Sequence, residues 1–374
     1  MSSSRSYFAL RRSPSKLSEG DCKPVMWSKY FKNQQEVIVD DDKFNIYSCG
    51  ESGPVLLLIH GGGYSALTWS LFVEEIKNKI ECRILAVDLR GHGNTTTTDE
   101  ENLSLDKLTE DVANIIDVSF GNNIPSIILV GHSLGGAIAV ALAKIVPNVI
   151  GLCVIDVVEG TAMEALSSMH NVLRSRPKTF RSVEHAIIWS FKCGQTRNLD
   201  AARVSVPGQI KNLLTGKLAA EECDDCVQDI KDDFSYTINC IREDCETTTQ
   251  EIEDNNRYTW RIDLSKTESY WNGWFKDLSK SFLDVQVPKV LLLANIHRLD
   301  TTLTVAQMQG KFQLQVLPRS GHAIHEDQPI RVAEIISGFL LKQKLATAKK
   351  VALFNLKIMF LKIPLSVVTL NLSS

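Results

Sequence analysis

The chain has 374 residues, 44% of them hydrophobic and 23% charged, with a formal net charge of -3. That is enough apolar material for one large α/β domain or two small ones. No basic excess marks the chain for nucleic acid or for an anionic membrane surface, so neither is expected as a partner.

The first residues are rich in Ser and Arg and carry no apolar core of the kind a secretory signal needs. Residues 1–24 therefore read as a disordered polar tail. The nine cysteines are odd in number and scattered, and some, such as Cys82 and Cys153, fall inside apolar runs. Buried reduced thiols are expected, and with them a reducing compartment, cytoplasmic or nuclear.

One domain is expected over 25–345. Val37–Val39 and Phe44–Tyr47, on either side of an Asp-rich turn, read as an antiparallel hairpin. Val55–Ile59 is a continuous apolar run, as in a strand buried on both faces, and it ends in His60-Gly61-Gly62-Gly63. A helix over about 66–79 leads to the strand Arg83–Asp88, which closes in a second Gly-rich turn, Leu89–Gly93. A helix over 105–118 precedes an apolar run from Ile127, and Val149–Ile155 is the next strand, ending at Asp156. Strands alternating with helices predict a mostly parallel sheet with right-handed crossovers.

That rhythm breaks over 157–288, which reads as a helical cap inserted between late strands. Within it, 215–256 is expected to be a mobile acidic loop, because between Glu221 and Asp254 the acids meet only Lys231 and Arg242. The same stretch holds Cys223, Cys226, Cys240 and Cys245. One Cys-x-x-Cys followed by a wider pair departs from common zinc spacing, so no metal is expected. The run Tyr270–Phe275 fits either core packing or an aromatic wall of a substrate groove. Lys289–Ala294 and Phe312–Leu317 complete the strands, and Gln328–Lys342 is the closing helix. The extension over 346–374 is apolar, but Asn355, Lys357, Lys362 and Pro364 interrupt it. It lacks the run of about 20 apolar residues that a membrane span needs, and no role is assigned to it.

The chemistry gathers at Ile127–Ala143. An apolar run enters Gly131-His132-Ser133-Leu134-Gly135 and passes at once into a small, helical sequence. Strand, sharp turn and helix are the context of a nucleophile elbow, in which glycines let the chain fold tightly beneath an exposed serine. The expected architecture is thus an α/β-hydrolase fold, an eight-stranded type of sheet flanked by helices, with Ser133 as nucleophile. A serine needs a base, and His322, in the loop before the closing helix, suits the chain order Ser, Asp, His. His325 in that loop is assigned to packing at the helix start, His132 is expected to point away from Ser133, and His92 to organise its own turn. The acid is left open between Asp156 and Asp300, both at strand ends. The oxyanion hole is assigned to the backbone N–H of Leu134 with that of Gly62 or Gly63. Such a site uses no cofactor and no metal.

Five segments carry a further likeness: Gly131–Val140, Ile155–Met163, Arg176–Phe180, Tyr258–Arg261 and Met308–Gln313. Together they resemble the protein phosphatase methylesterase family, over about Trp27 to Phe339. The resemblance implies hydrolysis of the C-terminal leucine methyl ester of the protein phosphatase 2A catalytic subunit, which would be both substrate and binding partner, with release of methanol. It also implies a triad of Ser133, Asp156 and His322. Two departures stand out: Asn295-Ile296-His297 where the family has Gly-Val-Asp, and Arg90-Gly91-His92-Gly93 for Arg-Ser-His-Gly. The alternatives are a small-molecule carboxylesterase or lipase of the same fold, and a non-catalytic phosphatase-binding regulator.

Overall fold

Residues 17–223, 257–295 and 299–349 are described by a computed structural model. Eight strands form the main sheet: β1 (Asn33–Val39), β2 (Asp42–Cys49), β3 (Val55–Ile59), β4 (Arg83–Val87), β5 (Ile127–His132), β6 (Val149–Ile155), β7 (Lys289–Leu293) and β8 (Gln313–Val316). Their spatial order is β1-β2-β4-β3-β5-β6-β7-β8. The first hairpin and its junction with β4 are antiparallel; every later pairing is parallel.

Side-chain alternation splits the core in two, because successive residues of a strand face opposite sides. Leu57, Ile59 and Leu129 pack with Val112, Ile115 and Ala137 from the helices Leu105–Phe120 and Leu134–Ile145. Leu56, Leu58, Ile128 and Val130 pack on the other face with Phe72, Ile76, Val332 and Ile336. The central strands β3 and β5 are buried throughout, so each large apolar side chain there contributes about 2 kcal/mol of transfer free energy. Cys82 and Cys153 are buried free thiols.

The register places the candidate groups. Ile59 lies opposite Gly131, His132 opposite Ile155, and Ile155 opposite Leu292. The segments that follow β3, β5, β6 and β7 therefore emerge together at one edge, the carboxyl edge where α/β sheets bind their ligands.

Between β6 and β7 the chain forms the helices Glu159–Ser175, Val183–Cys193, Leu199–Ser205, Glu268–Phe275 and Leu278–Asp284. A three-stranded sheet of Thr179–Phe180, Tyr258–Trp260 and Ile210–Asn212 joins them. Phe180, Ile187, Ala202 and Val206 form a core of their own. Arg261 ties this part to the turn after β4, donating to the Gly93 and Thr95 carbonyls and pairing with Glu100 at 2.6 Å.

The amino-terminal tail ends earlier than its polarity suggested. Cys22 is wholly buried in that separate core, Val25 N–H donates to Arg203 O, and the Arg203 guanidinium donates to Lys23 O. Distant partners supply the order that local composition does not encode. At the other end, Thr347–Ala348 pairs with Ile80–Glu81 as a short edge ribbon. The interrupted apolar stretch after it, the 224–256 part of the acidic loop with Cys226, Cys240 and Cys245, and the Ile296–His297 departure lie outside the described residues.

Candidate active site

Ser133 sits between β5 and the helix Leu134–Ile145 with φ 54° and ψ -121°, a conformation that costs a residue with a Cβ about 1–3 kcal/mol. The neighbourhood holds it there. Its N–H donates to Ile155 O at 3.0 Å, and its carbonyl accepts from Gly136 N–H at 2.8 Å. A methyl group on Gly131 would overlap the Gly135 carbonyl, and one on Gly135 would overlap the carbonyl oxygens of Ile59 and His60. The glycines are thus required by close backbone approach.

Asp156 follows β6 with φ 52°, held by the neighbouring strand. Its N–H donates to Leu292 O at 2.8 Å, and its Oδ1 accepts from Ala294 N–H at 2.9 Å. The second oxygen, Oδ2, lies 2.8 Å from His322 Nδ1. Asp300, the rival acid, faces elsewhere: it caps the helix Thr301–Met308 through Leu303 N–H and accepts from Ser279 Oγ at 2.5 Å. Ser133, Asp156 and His322 line one cavity of about 290 Å³. Among the described residues no hydrogen bond joins the Ser133 hydroxyl to His322. Such bonds are often long without substrate.

His322 is half exposed, whereas His132 and His325 are fully buried. His132 Nε2 lies 3.0 Å from the His322 carbonyl oxygen, so this ring holds the main chain of its neighbour. His325 stacks on Trp69, with ring centroids 4.2 Å apart, and its Nε2 meets Thr68 Oγ1 at 2.8 Å. Burial draws the His325 pKa down to about 3 and that of His132 well below the usual histidine range. Both stay neutral at pH 7.

Gly61–Tyr64 is a tight turn, with Tyr64 N–H donating to Gly61 O and Gly63 at φ 79°, which favours glycine at that place. A pair of buried histidines builds it. Leu89 N–H donates to His60 Nε2 at 3.0 Å, which fixes His60 Nδ1–H as the donor to Gly61 O. Gly63 N–H donates to His92 Nε2 at 2.9 Å, and His92 Nδ1–H in turn donates to Arg90 O. Burial lowers the His92 pKa to about 4, consistent with a neutral acceptor. His92 therefore does more than shape its own turn, and it engages the Gly63 N–H. Gly62 and Leu134 N–H make no such bond among the described residues. Only the packing of β3 beside β4 reveals that pairing; in the sequence, two histidines at Gly-rich turns were the sole hint.

The aromatic run divides. Trp271 and Trp274 are core residues, the latter donating its indole N–H to Leu103 O at 2.6 Å, while Phe275 also lines the Ser133 cavity.

A serine with positive φ at a strand-to-helix elbow, an aspartate after the neighbouring strand paired with a histidine from the loop after the last strand, and a Gly-rich turn beside them give the arrangement of the α/β-hydrolase class. The alpha/beta hydrolase family profile matches residues 56–335. Among solved structures, E-2-(acetamidomethylene)succinate hydrolase superposes with a TM-score of 0.61 at 18% identity, covering 82% of this chain and 98% of that one. A thioesterase domain from the curacin biosynthetic pathway gives 0.53 at 18% identity, covering 83% and 99%. At that distance the likeness speaks for the fold alone. Closer relatives speak for more. The chain is 50% identical over 335 residues to protein phosphatase methylesterase 1 of Mus musculus and of Homo sapiens, covering 87% of this chain and 86% of each of those. It is 42% identical over 330 residues to the probable protein phosphatase methylesterase 1 of Caenorhabditis elegans, covering 87% and 80%. The chain belongs to the protein phosphatase methylesterase family, and it is a carboxylic ester hydrolase.

Proposed function

We propose that this chain removes the methyl group from the C-terminal leucine methyl ester of the protein phosphatase 2A catalytic subunit, with Ser133, His322 and Asp156 as its triad. The observation that carries the reading is the 2.8 Å pair of His322 Nδ1 and Asp156 Oδ2, opening on the cavity that also holds the elbow serine.

Asp156 orients the imidazole and stabilises its cation, leaving His322 Nε2 to take the Ser133 proton. The alkoxide attacks the ester carbonyl, and the oxyanion forms beside the N–H groups of Leu134 and Gly62. Collapse expels methanol, which leaves with the proton from His322. Water then enters, His322 accepts its proton, and the acyl-enzyme opens to a free carboxylate and a restored serine. His132, bound to the His322 carbonyl, positions the base without touching substrate.

The test is methanol release from the methylated phosphatase catalytic subunit. Ser133→Ala should lower it by at least about 10⁴-fold with an unchanged melting temperature. Full activity in that variant overturns the triad. Turnover of short acyl esters with none on the phosphatase favours a small-molecule esterase instead.

A further inference from the structure

A second cavity, of about 700 Å³, adjoins the Gly61–Gly63 turn from the cap side. One helix serves both spaces: Ala162, Leu166 and Met169 line the Ser133 cavity, and His170 and Leu173 line the larger one. Leu264, in the larger cavity, packs over the turn, within 4 Å of the space beside Gly62 and Gly63.

Arg176 stands at the junction. Its guanidinium lies over the Trp260 ring, 4.6 Å from the centroid, and its Nη1 borders the space above Gly63. Trp260 is itself fixed, donating its indole N–H to Pro177 O at 2.8 Å. The ring is tied to the main chain, yet among the described residues the guanidinium makes no ion pair and no side-chain hydrogen bond. Burial pulls the Arg176 pKa down from the ordinary arginine value, as expected of a cation that has lost water. The acids of this cavity are engaged elsewhere: Glu268 pairs with His170 at 2.8 Å, and Asp263 accepts from Ser265. Lys178 and Arg174 line the same wall without an ion pair among the described residues, so the balance at the junction is positive. A planar fork of five N–H donors, stacked and unpaired, matches a carboxylate.

We infer that the larger cavity receives the peptide leading to the esterified residue, and that Arg176 is a specificity-determining residue that binds an acidic side chain of that peptide. This rests on the reading of the reaction given above. An ester has no charge of its own at the reacting carbonyl, so a cation placed beyond the oxyanion turn selects among peptides without binding the group that is cleaved.

The experiment uses the full chain and synthetic peptides ending in leucine methyl ester, with one Asp moved through the upstream positions and Asn as its uncharged match. At one position the wild type should prefer Asp over Asn by about tenfold in kcat/KM, and the preference should shrink as salt is raised. Arg176→Gln should bring the ratio to about one, Arg176→Lys should retain part of it, and the exposed Lys178→Gln should lower it less. A wild-type ratio near one at every position overturns the inference. So does a ratio that survives Arg176→Gln, or a loss in that variant that slows Asp and Asn peptides equally, which would place the guanidinium at the oxyanion. Hydrolysis of no peptide overturns it as well, and methanol release from the whole phosphatase then shows whether the reaction itself still stands.

Discussion

At the carboxyl edge of the sheet the candidate catalytic groups are held by main-chain partners from neighbouring strands; in the cap, Arg176 has an aromatic face and, among the described residues, no side-chain acceptor. Ser133 is bound to Ile155, Asp156 to Leu292 and Ala294, and the His322 carbonyl to His132. The difference follows the two tasks. Chemistry gains from groups fixed before substrate arrives, because nothing need reorganise as charge develops. Recognition gains from a group left wanting a partner, because only the right ligand relieves it.

The contrast can be broken most severely at the acids. Asp156→Asn should cut methanol release by about 10³–10⁴-fold, since the imidazole loses its orientation and its counter-charge. Asp300→Ala, which removes a helix cap, should leave the rate near wild type and lower unfolding free energy by about 1 kcal/mol. Equal kinetic losses in the two variants would show that the observed Asp156–His322 pair does not govern the reaction.

Backbone crowding sharpens it next. Gly135→Ala forces a methyl group onto the Ile59 and His60 carbonyls and should destabilise the fold by about 3 kcal/mol or more in denaturant unfolding. Gly273, on the cap helix Glu268–Phe275, has nothing within 4 Å of a built Cβ. Gly273→Ala should therefore stabilise by about 0.5–1 kcal/mol. A similar cost at both sites would mean that the cap is packed as tightly as the elbow.

An effect that depends on pH lies at the seam. Glu326 is fully buried, accepts from Thr68 Oγ1 at 2.6 Å, and its carbonyl accepts from Asn198 of the cap. Burial raises its pKa from 4.5 to about 7. Between those values the folded protein keeps a proton that the unfolded chain has released, so stability falls as pH rises from about 4.5 to about 7. Glu326→Gln carries no titrating group and should escape that fall, by about 3 kcal/mol relative to wild type at pH 8. Parallel stability profiles for the two proteins from pH 5 to 8 would refute the shift.

Much of this molecule is determined by local sequence. The apolar runs Val55–Ile59 and Ile127–Val130 specify buried strands because every residue in them must leave water. Gly131-His132-Ser133-Leu134-Gly135 specifies an elbow because no Cβ fits where its glycines lie. The segment after Gly321 marks a histidine in the loop before the closing helix, and two of the three groups assigned to the triad are legible in this way. What tertiary structure alone decided are contacts between residues far apart in the chain. Asp156 rather than Asp300 meets His322 because β7 clamps one carboxylate while the helix start at Thr301 occupies the other. The N–H of Gly63 is taken by His92 because β3 and β4 lie side by side. Cys22 joins the cap core, and among the described residues Arg176 is left without an acid, through the same cause. Periodicity reports which side of an element faces inward; register and crossing decide which polar atoms end within 3 Å of each other, and those distances make the site.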